Sequence, residues 1–247
     1  MRPVSKLKPG DTIEIEGRTE QIKEKYDPFQ DAKKYLIGNL GSYCSYCETI
    51  RPLIGDSEVE HIVPKKRHPD FETKWENFLI ACGACNNKGA KSEKSIIDDP
   101  EYIGAHLPHL NNTFLSFKYE DLGVVKVNED LQGESNEHAK KLFDLVKLGA
   151  YGSSATPADN RWKNRMEAWN TANIYLRKYK NDKCDVDTII DVAQKSYWSV
   201  WFTVFKGCDE VRKALIERFP GTAKECFDPG NGYDPVPRNP DNASDPV

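Results

Sequence analysis

Two Cys-x-x-Cys pairs, Cys44/Cys47 and Cys82/Cys85, are the most chemically informative feature of this chain. Four thiolates in two such pairs are the usual ligands of a tetrahedral structural zinc site. In a reducing compartment, cysteines spaced in this way bind metal more often than they form disulfides. The spacing therefore predicts one Zn²⁺ ion bound by all four thiolates, which would hold a small, loop-rich unit together.

A carboxylate, an imidazole and two amides accompany the cysteine pairs. Hydrolysis of a phosphodiester needs a base that activates water and a cation that stabilises negative charge on oxygen. His61 is a suitable base near neutral pH, and the adjacent Glu60 offers oxygen ligands to a hard cation such as Mg²⁺ or Mn²⁺. Asn86 directly follows a predicted zinc ligand and offers a second oxygen, whereas Asn77 is suited to bracing the backbone beside His61. Each residue alone would be an ordinary surface or turn residue, but their order favours a catalytic site.

The distribution of charge is uneven, although the chain of 247 residues has a net charge of only −4. Residues 61–94 contain seven Lys/Arg against four Asp/Glu, and residues 161–183 contain seven against two. A local positive field attracts a polyanion even when the total charge is negative. The residues expected to contact phosphates are Lys65, Lys66, Arg67, Lys88 and Lys91. The structural alternative is that these side chains only face solvent.

Hydrophobic periodicity predicts the elements that would position these residues. Short strands are expected at 11–16 and 58–63, and a helix at 31–40 that ends at Gly41. Two strands are expected within 114–127. Helices are expected at 136–148, 161–179, 187–205 and 211–219. The segment from residue 228 is rich in Pro, Asn, Asp and Gly, which predicts disorder.

The order of these residues resembles that of the HNH endonucleases, a family with a ββα-metal active site. The resemblance covers roughly residues 40–95, in four stretches with the sequences YCSYCE, VEHIVPK, WENFL and CGACNNKG. It implies that His61 is the general base, Glu60 the acidic metal ligand and Asn77 the residue that orients the catalytic loop. Asn86 takes the third position, where the family has histidine or asparagine as a metal ligand. Glu60 replaces the more frequent aspartate, and this extra methylene could alter the metal preference.

The expected fold is therefore α+β: a zinc-stapled ββα-metal nuclease module at 1–110, a mostly helical region at 111–227, and a disordered tail at 228–247. The opening residues and the helical second half also look like nuclease subunits of bacterial anti-phage defence, similar to those of Septu systems. That likeness implies DNA as the substrate and an ATPase subunit as the partner. The chain lacks a long apolar run, so we expect a cytoplasmic protein without a membrane span.

Two other classes of function remain open from the residues alone. A zinc-binding adaptor would dock nucleic acid or a partner protein, but it would not need a carboxylate, an imidazole and an amide around one cation. A redox protein would use its Cys-x-x-Cys pairs as free thiols, and the zinc content of the purified protein distinguishes it from the other two.

Overall fold

The computed structural model describes residues 1–51, 57–86, 91, 93–155 and 159–247. Within these residues, the first part of the chain contains two small antiparallel sheets and three short α-helices. In chain order its elements are β1 (Thr12–Ile15), β2 (Arg18–Gln21), α1 (Lys33–Leu40), β3 (Glu58–His61), β4 (Phe78–Ala81), α2 (Gly83–Asn86) and α3 (Thr113–Ser116). The second part is mainly helical, as predicted. Its elements are β5 (Phe117–Glu120), β6 (Val124–Val127), α4 (Gly133–Leu145), α5 (Arg161–Tyr179), α6 (Val186–Ala193), α7 (Trp198–Val204), α8 (Asp209–Arg218), β7 (Phe227–Asp228) and β8 (Asp234–Pro235).

The α+β class is confirmed, and most predicted elements lie where the sequence placed them. Helix α1 ends at Gly41, whose φ of 80° is readily adopted only by a residue without a Cβ atom. Strands β5 and β6 form the expected hairpin. The helix expected at 187–205 is instead two helices, α6 and α7, separated by a turn around residues 194–197.

The hairpin of β3 and β4 positions the candidate site. Its strands are antiparallel, with Glu60 opposite Leu79 and His61 opposite Phe78. All four residues of β4 are buried, which fits its continuous apolar sequence. Helix α2 follows β4 after one residue and packs against β3, so this segment has the ββα order.

One hydrophobic cluster joins the two predicted regions. It contains Leu36, Trp75 and Phe78 from the first region, together with Leu142 and Val200 from the second. A second cluster, centred on Trp201, lies among the C-terminal helices. The described parts of the two regions therefore share a core. None of the described helices is long and apolar enough to cross a membrane.

The segment 228–247 is packed against the rest of the chain, contrary to the expected disorder. The backbone N–H of Asn112 donates to the carbonyl of Val247 at 3.0 Å, and the Asn112 side chain donates to the carbonyl of Val236 at 2.7 Å. Asp245 is buried and accepts hydrogen bonds from side chains of other segments. The polar residues of this segment, which suggested a solvated chain, instead form hydrogen bonds with polar groups elsewhere in the folded chain.

Candidate metal-dependent active site

The four predicted zinc ligands meet in one buried cluster. Their sulfur atoms all lie within 4.8 Å of one another, and the sulfurs of Cys47 and Cys82 are 3.6 Å apart. Four thiolates around one Zn²⁺, each about 2.3 Å from the metal, have sulfurs roughly 3.8 Å apart. The cluster therefore fits a structural zinc ion. Cys44 and Cys47 lie beside the antiparallel bridge between Tyr43 and Ile50, and Cys82 and Cys85 lie where β4 leads into α2.

A buried arginine connects this cluster to the helical region, a feature that the sequence did not indicate. Arg161, at the start of α5, donates from Nη1 to the sulfur of Cys85 at 3.3 Å and to the carbonyl of Val146 at 2.9 Å. Its Nη2 donates to the carboxylate of Asp159 at 2.7 Å. A guanidinium beside sulfur complements the negative charge of a zinc–thiolate cluster.

His61 is held in one orientation at the end of β3. Its Nε2 lies 2.9 Å from the backbone carbonyl of Glu72. Because a carbonyl only accepts hydrogen bonds, Nε2 carries the proton and Nδ1 has the free lone pair. The ring also makes edge contacts with Phe29 and Phe78, at centroid distances of 4.7 and 5.2 Å. Burial lowers the pKa of His61, so the imidazole is neutral near pH 7.

Asn77 connects the two ends of the loop that follows β3. Its side chain accepts from the N–H of Val63 at 2.7 Å and donates to the carbonyls of Val63 and Phe71 at 2.9 and 3.0 Å. The residue itself is buried. These bonds fix the segment next to His61, which is what a role in orienting the loop requires.

Glu60 and Asn86, the two predicted cation ligands, have different partners in the structure. The Glu60 carboxylate is buried and forms an ion pair with Lys91 at 2.6 Å, and the same ammonium donates to the carbonyl of His61 at 2.6 Å. Burial raises the pKa of Glu60, although Lys91 opposes this effect. Asn86 instead donates to Glu58 at 2.9 Å. Glu58 was not predicted as a site residue, although its position two residues before Glu60 places both on one face of β3.

The expected phosphate-binding residues have different positions. Lys91 is only 1% exposed, so it cannot contact a phosphate without leaving Glu60, and this part of the prediction does not match the structure. Lys65, Lys66 and Arg67 lie at the surface, where they pair with acidic side chains. Lys88 lies outside the described residues.

A surface cavity of about 440 Å³ joins several of these groups. Its lining includes His61, Glu58, Asn86, Lys65 and Lys66. The cavity thus brings together the predicted base, one predicted cation ligand and two predicted phosphate contacts. Glu60 is buried and is not among the residues that line the cavity.

Two similarities to known proteins agree with this geometry. Residues 43–91 match the family model described as HNH endonuclease, which confirms the resemblance drawn from the motifs. The chain is also similar to the Septu protein PtuB of Bacillus mycoides (strain KBAB4). The two are 29% identical over 98 residues, which is 32% of this chain and 33% of that protein. The match therefore spans about a third of the curated relative.

Proposed function

We propose that this chain is a metal-dependent endonuclease that hydrolyses DNA phosphodiester bonds, with His61 as the general base. The observation that carries the proposal is the hydrogen bond from Nε2 of His61 to the carbonyl of Glu72. It fixes the tautomer and leaves Nδ1 as the atom that takes a proton from water. The lowered pKa keeps this atom unprotonated at neutral pH.

The cation ligands in this proposal lie on one face of β3. Glu58 and Glu60 alternate with Val59, so both glutamates project towards the side on which α2 packs. Asn86, the last residue of α2, already contacts Glu58. Glu60 and Asn86 would hold Mg²⁺ or Mn²⁺, with Glu58 as a further oxygen donor, once Glu60 exchanges the ammonium of Lys91 for the ion. A bound cation of this kind stabilises the negative charge on the phosphoryl oxygens and on the leaving 3′-oxygen.

Positive charge beside the cavity supports a nucleic acid substrate. Lys65 and Lys66 line the cavity, and Lys66 is 71% exposed. Their pairing with Glu72 and Glu93 is at the surface, where such ion pairs contribute little and exchange readily for phosphate. The similarity to a Septu protein supports a role in anti-phage defence beside an ATPase partner. Because the net charge of this chain is −4, the partner would supply much of the DNA-binding affinity.

The direct test is cleavage of supercoiled plasmid DNA by the purified chain with Mg²⁺ or Mn²⁺. His61→Ala should lower the cleavage rate by about 10²–10⁴-fold, the usual contribution of a general base. Its zinc content, circular dichroism and DNA affinity should remain those of the wild type. His68→Ala is the matched control, because His68 is a neighbouring histidine that pairs with Asp98 at the surface.

Cleavage should also stop after brief EDTA treatment that leaves the zinc bound, and return when Mg²⁺ or Mn²⁺ is added. A His61→Ala rate above a tenth of the wild-type rate would remove His61 from the role of base. A protein that binds DNA and retains zinc but does not cleave DNA with any divalent cation, either alone or with an ATPase partner, would be the zinc adaptor instead.

A further inference from the structure

A second group of side chains that could bind a metal shares no residue with the cysteine cluster. Nε2 of His106 is 2.9 Å from Oδ1 of Asp245, and Nδ1 of His138 is 2.7 Å from Oδ2 of the same carboxylate. The three potential ligand atoms all lie within 4.8 Å of one another. His106 lies in a loop, His138 in helix α4 and Asp245 in the C-terminal segment. The three residues are distant in sequence and meet only in the folded chain.

The surroundings of this group resemble those of a metal centre. His106 is 0% exposed, and its other ring nitrogen, Nδ1, lies 2.8 Å from the hydroxyl of Ser116. A hydrogen bond on the second nitrogen is the usual way in which a protein orients a histidine ligand. Ser135 donates to Asp245 at 2.7 Å and fixes the carboxylate in the same manner.

The backbone also leaves room for the second imidazole. Gly104 has a φ of +81°, and a Cβ atom at this position would lie 2.4 Å from Nε2 of His138. A side chain there would push His138 away from Asp245. The loop before His106 is therefore shaped to admit this ring.

The carboxylate of Asp245 contacts both imidazoles. Within the described part of the chain, the ion-pair partners of Asp245 are the two histidines. Asp245 therefore holds both candidate imidazole ligands close enough for one ion to reach all three side chains.

We propose that His106, His138 and Asp245 form a second zinc site, which holds the C-terminal segment 228–247 onto helix α4. Two imidazoles and one carboxylate are borderline and hard donors, a set that suits Zn²⁺. Ligands about 2.1 Å from a tetrahedral zinc lie roughly 3.4 Å apart. The observed N···O distances of 2.7 and 2.9 Å, which go to different oxygens of Asp245, would therefore lengthen by about 0.7 and 0.5 Å when an ion binds. The fourth position would be taken by water.

The site can be detected by the zinc content of the full chain. After equilibrium dialysis against buffered Zn²⁺ with excess Mg²⁺, the wild type should bind one zinc ion more than His138→Ala or Asp245→Asn. Asparagine has nearly the same shape as aspartate. A loss of zinc in Asp245→Asn therefore reports the loss of a metal ligand rather than unfolding. His68→Ala should bind as much zinc as the wild type, because among the described residues His68 and Asp98 belong to no group of three potential ligands.

Spectroscopy and hydrogen exchange give independent readouts. Co²⁺ bound at this site should show visible bands without the sulfur-to-metal charge transfer of the cysteine cluster, and His138→Ala should lose only those bands. Zinc should slow amide exchange in 228–247 in the wild type and not in Asp245→Asn. Equal zinc content in the wild type and both variants would show that the three side chains form only a hydrogen-bonded network. The same conclusion would follow if zinc left the rate of amide exchange in 228–247 unchanged.

Discussion

The side-chain amide of Asn86 donates a hydrogen bond to the carboxylate of Glu58 across 2.9 Å. Glu60, the residue in the family's ligand position, is paired with the buried ammonium of Lys91. Two carboxylates on one face of β3 thus have different partners. Glu58, which lines the cavity, accepts from a neutral amide, whereas the buried Glu60 is paired with a full positive charge. The cation requirement of cleavage should report which carboxylate is the essential ligand.

Glu60→Gln should raise the Mg²⁺ or Mn²⁺ concentration needed for half-maximal cleavage, because the amide keeps the shape but loses the charge that binds the cation. Glu58→Gln is the matched variant two residues away on the same face, and it should have the smaller effect. Asn86→Asp should also be mild, because it keeps an oxygen in place. The measurement is the plasmid cleavage rate as a function of metal concentration. An unchanged metal requirement in Glu60→Gln, with a large change in Glu58→Gln, would transfer the ligand role to Glu58.

Lys91→Met should make the stability of the chain depend on divalent cations. Removing one partner of a buried ion pair usually costs about 3–5 kcal/mol, because the other charge remains buried. Thermal melting of Lys91→Met in EDTA should therefore occur below that of the wild type, and Mn²⁺ should recover more stability in the variant. Lys66→Met is the control, because its ion pair with Glu93 is exposed. Equal melting of the wild type and Lys91→Met in EDTA would contradict a stabilising role for the pair.

Local patterns were enough to predict some of the elements around the site. The alternation in 58–63 and the stop at Gly41 are local signals, and the corresponding elements β3 and α1 are present, whereas strand β4 was not predicted. The meeting of the four cysteines followed from their spacing and from the preference of zinc for four thiolates.

Long-range pairing was not predictable in the same way. Nothing local in the sequence distinguishes Lys91, which is buried on Glu60, from Lys66, which is 71% exposed. The same holds for Asp245, whose partners are more than a hundred residues away in sequence. A polar residue contributes equally to the composition of a segment whether it pairs with a buried partner or faces solvent. For this reason the C-terminal segment was wrongly expected to be disordered.

Asn77→Ala should reduce cleavage strongly while the zinc content stays unchanged. The substitution removes three hydrogen bonds that hold the ends of the loop after β3, and it leaves the N–H of Val63 without a partner. A buried unsatisfied group typically costs about 1–3 kcal/mol, so a lower melting temperature should accompany the loss. Asn173→Ala in α5 removes one hydrogen bond to the helix backbone and is the control. Wild-type cleavage by Asn77→Ala would rule out an orienting role.

Cys82→Ser should lose the zinc ion of the cysteine cluster and unfold the region around it rather than only slow cleavage. Structural zinc contributes on the order of 10 kcal/mol to the folding of such units. Because Arg161 connects Cys85 to the start of α5, the loss of helical circular dichroism should extend beyond residues 43–91. Cys184→Ser, at a half-buried cysteine outside the cluster, should keep both zinc and helicity. A zinc-free Cys82→Ser protein that melts like the wild type would show that the metal has no structural role.

His109 should make the chain less stable in mild acid. Burial lowers the pKa of His109 to about 3, and the positive charges of Lys6 and Arg238 add to this effect. In the described structure its Nδ1 is buried without a hydrogen-bond partner. In the unfolded chain the imidazole titrates near its ordinary value of about 6.5. Between these two values the unfolded state binds more protons, so the free energy of unfolding falls as the pH falls through this window.

The difference can be measured by urea unfolding of zinc-saturated protein at pH 7 and at pH 5. His109→Gln cannot take up a proton, so between these values it should lose less stability than the wild type, by on the order of 1 kcal/mol. Comparing the two proteins under identical conditions cancels the acid sensitivity of the zinc–thiolate cluster, which both contain. His68→Gln, at a surface histidine, should follow the wild type. If His109→Gln and the wild type lose equal stability between pH 7 and pH 5, His109 is not held in its neutral form by burial.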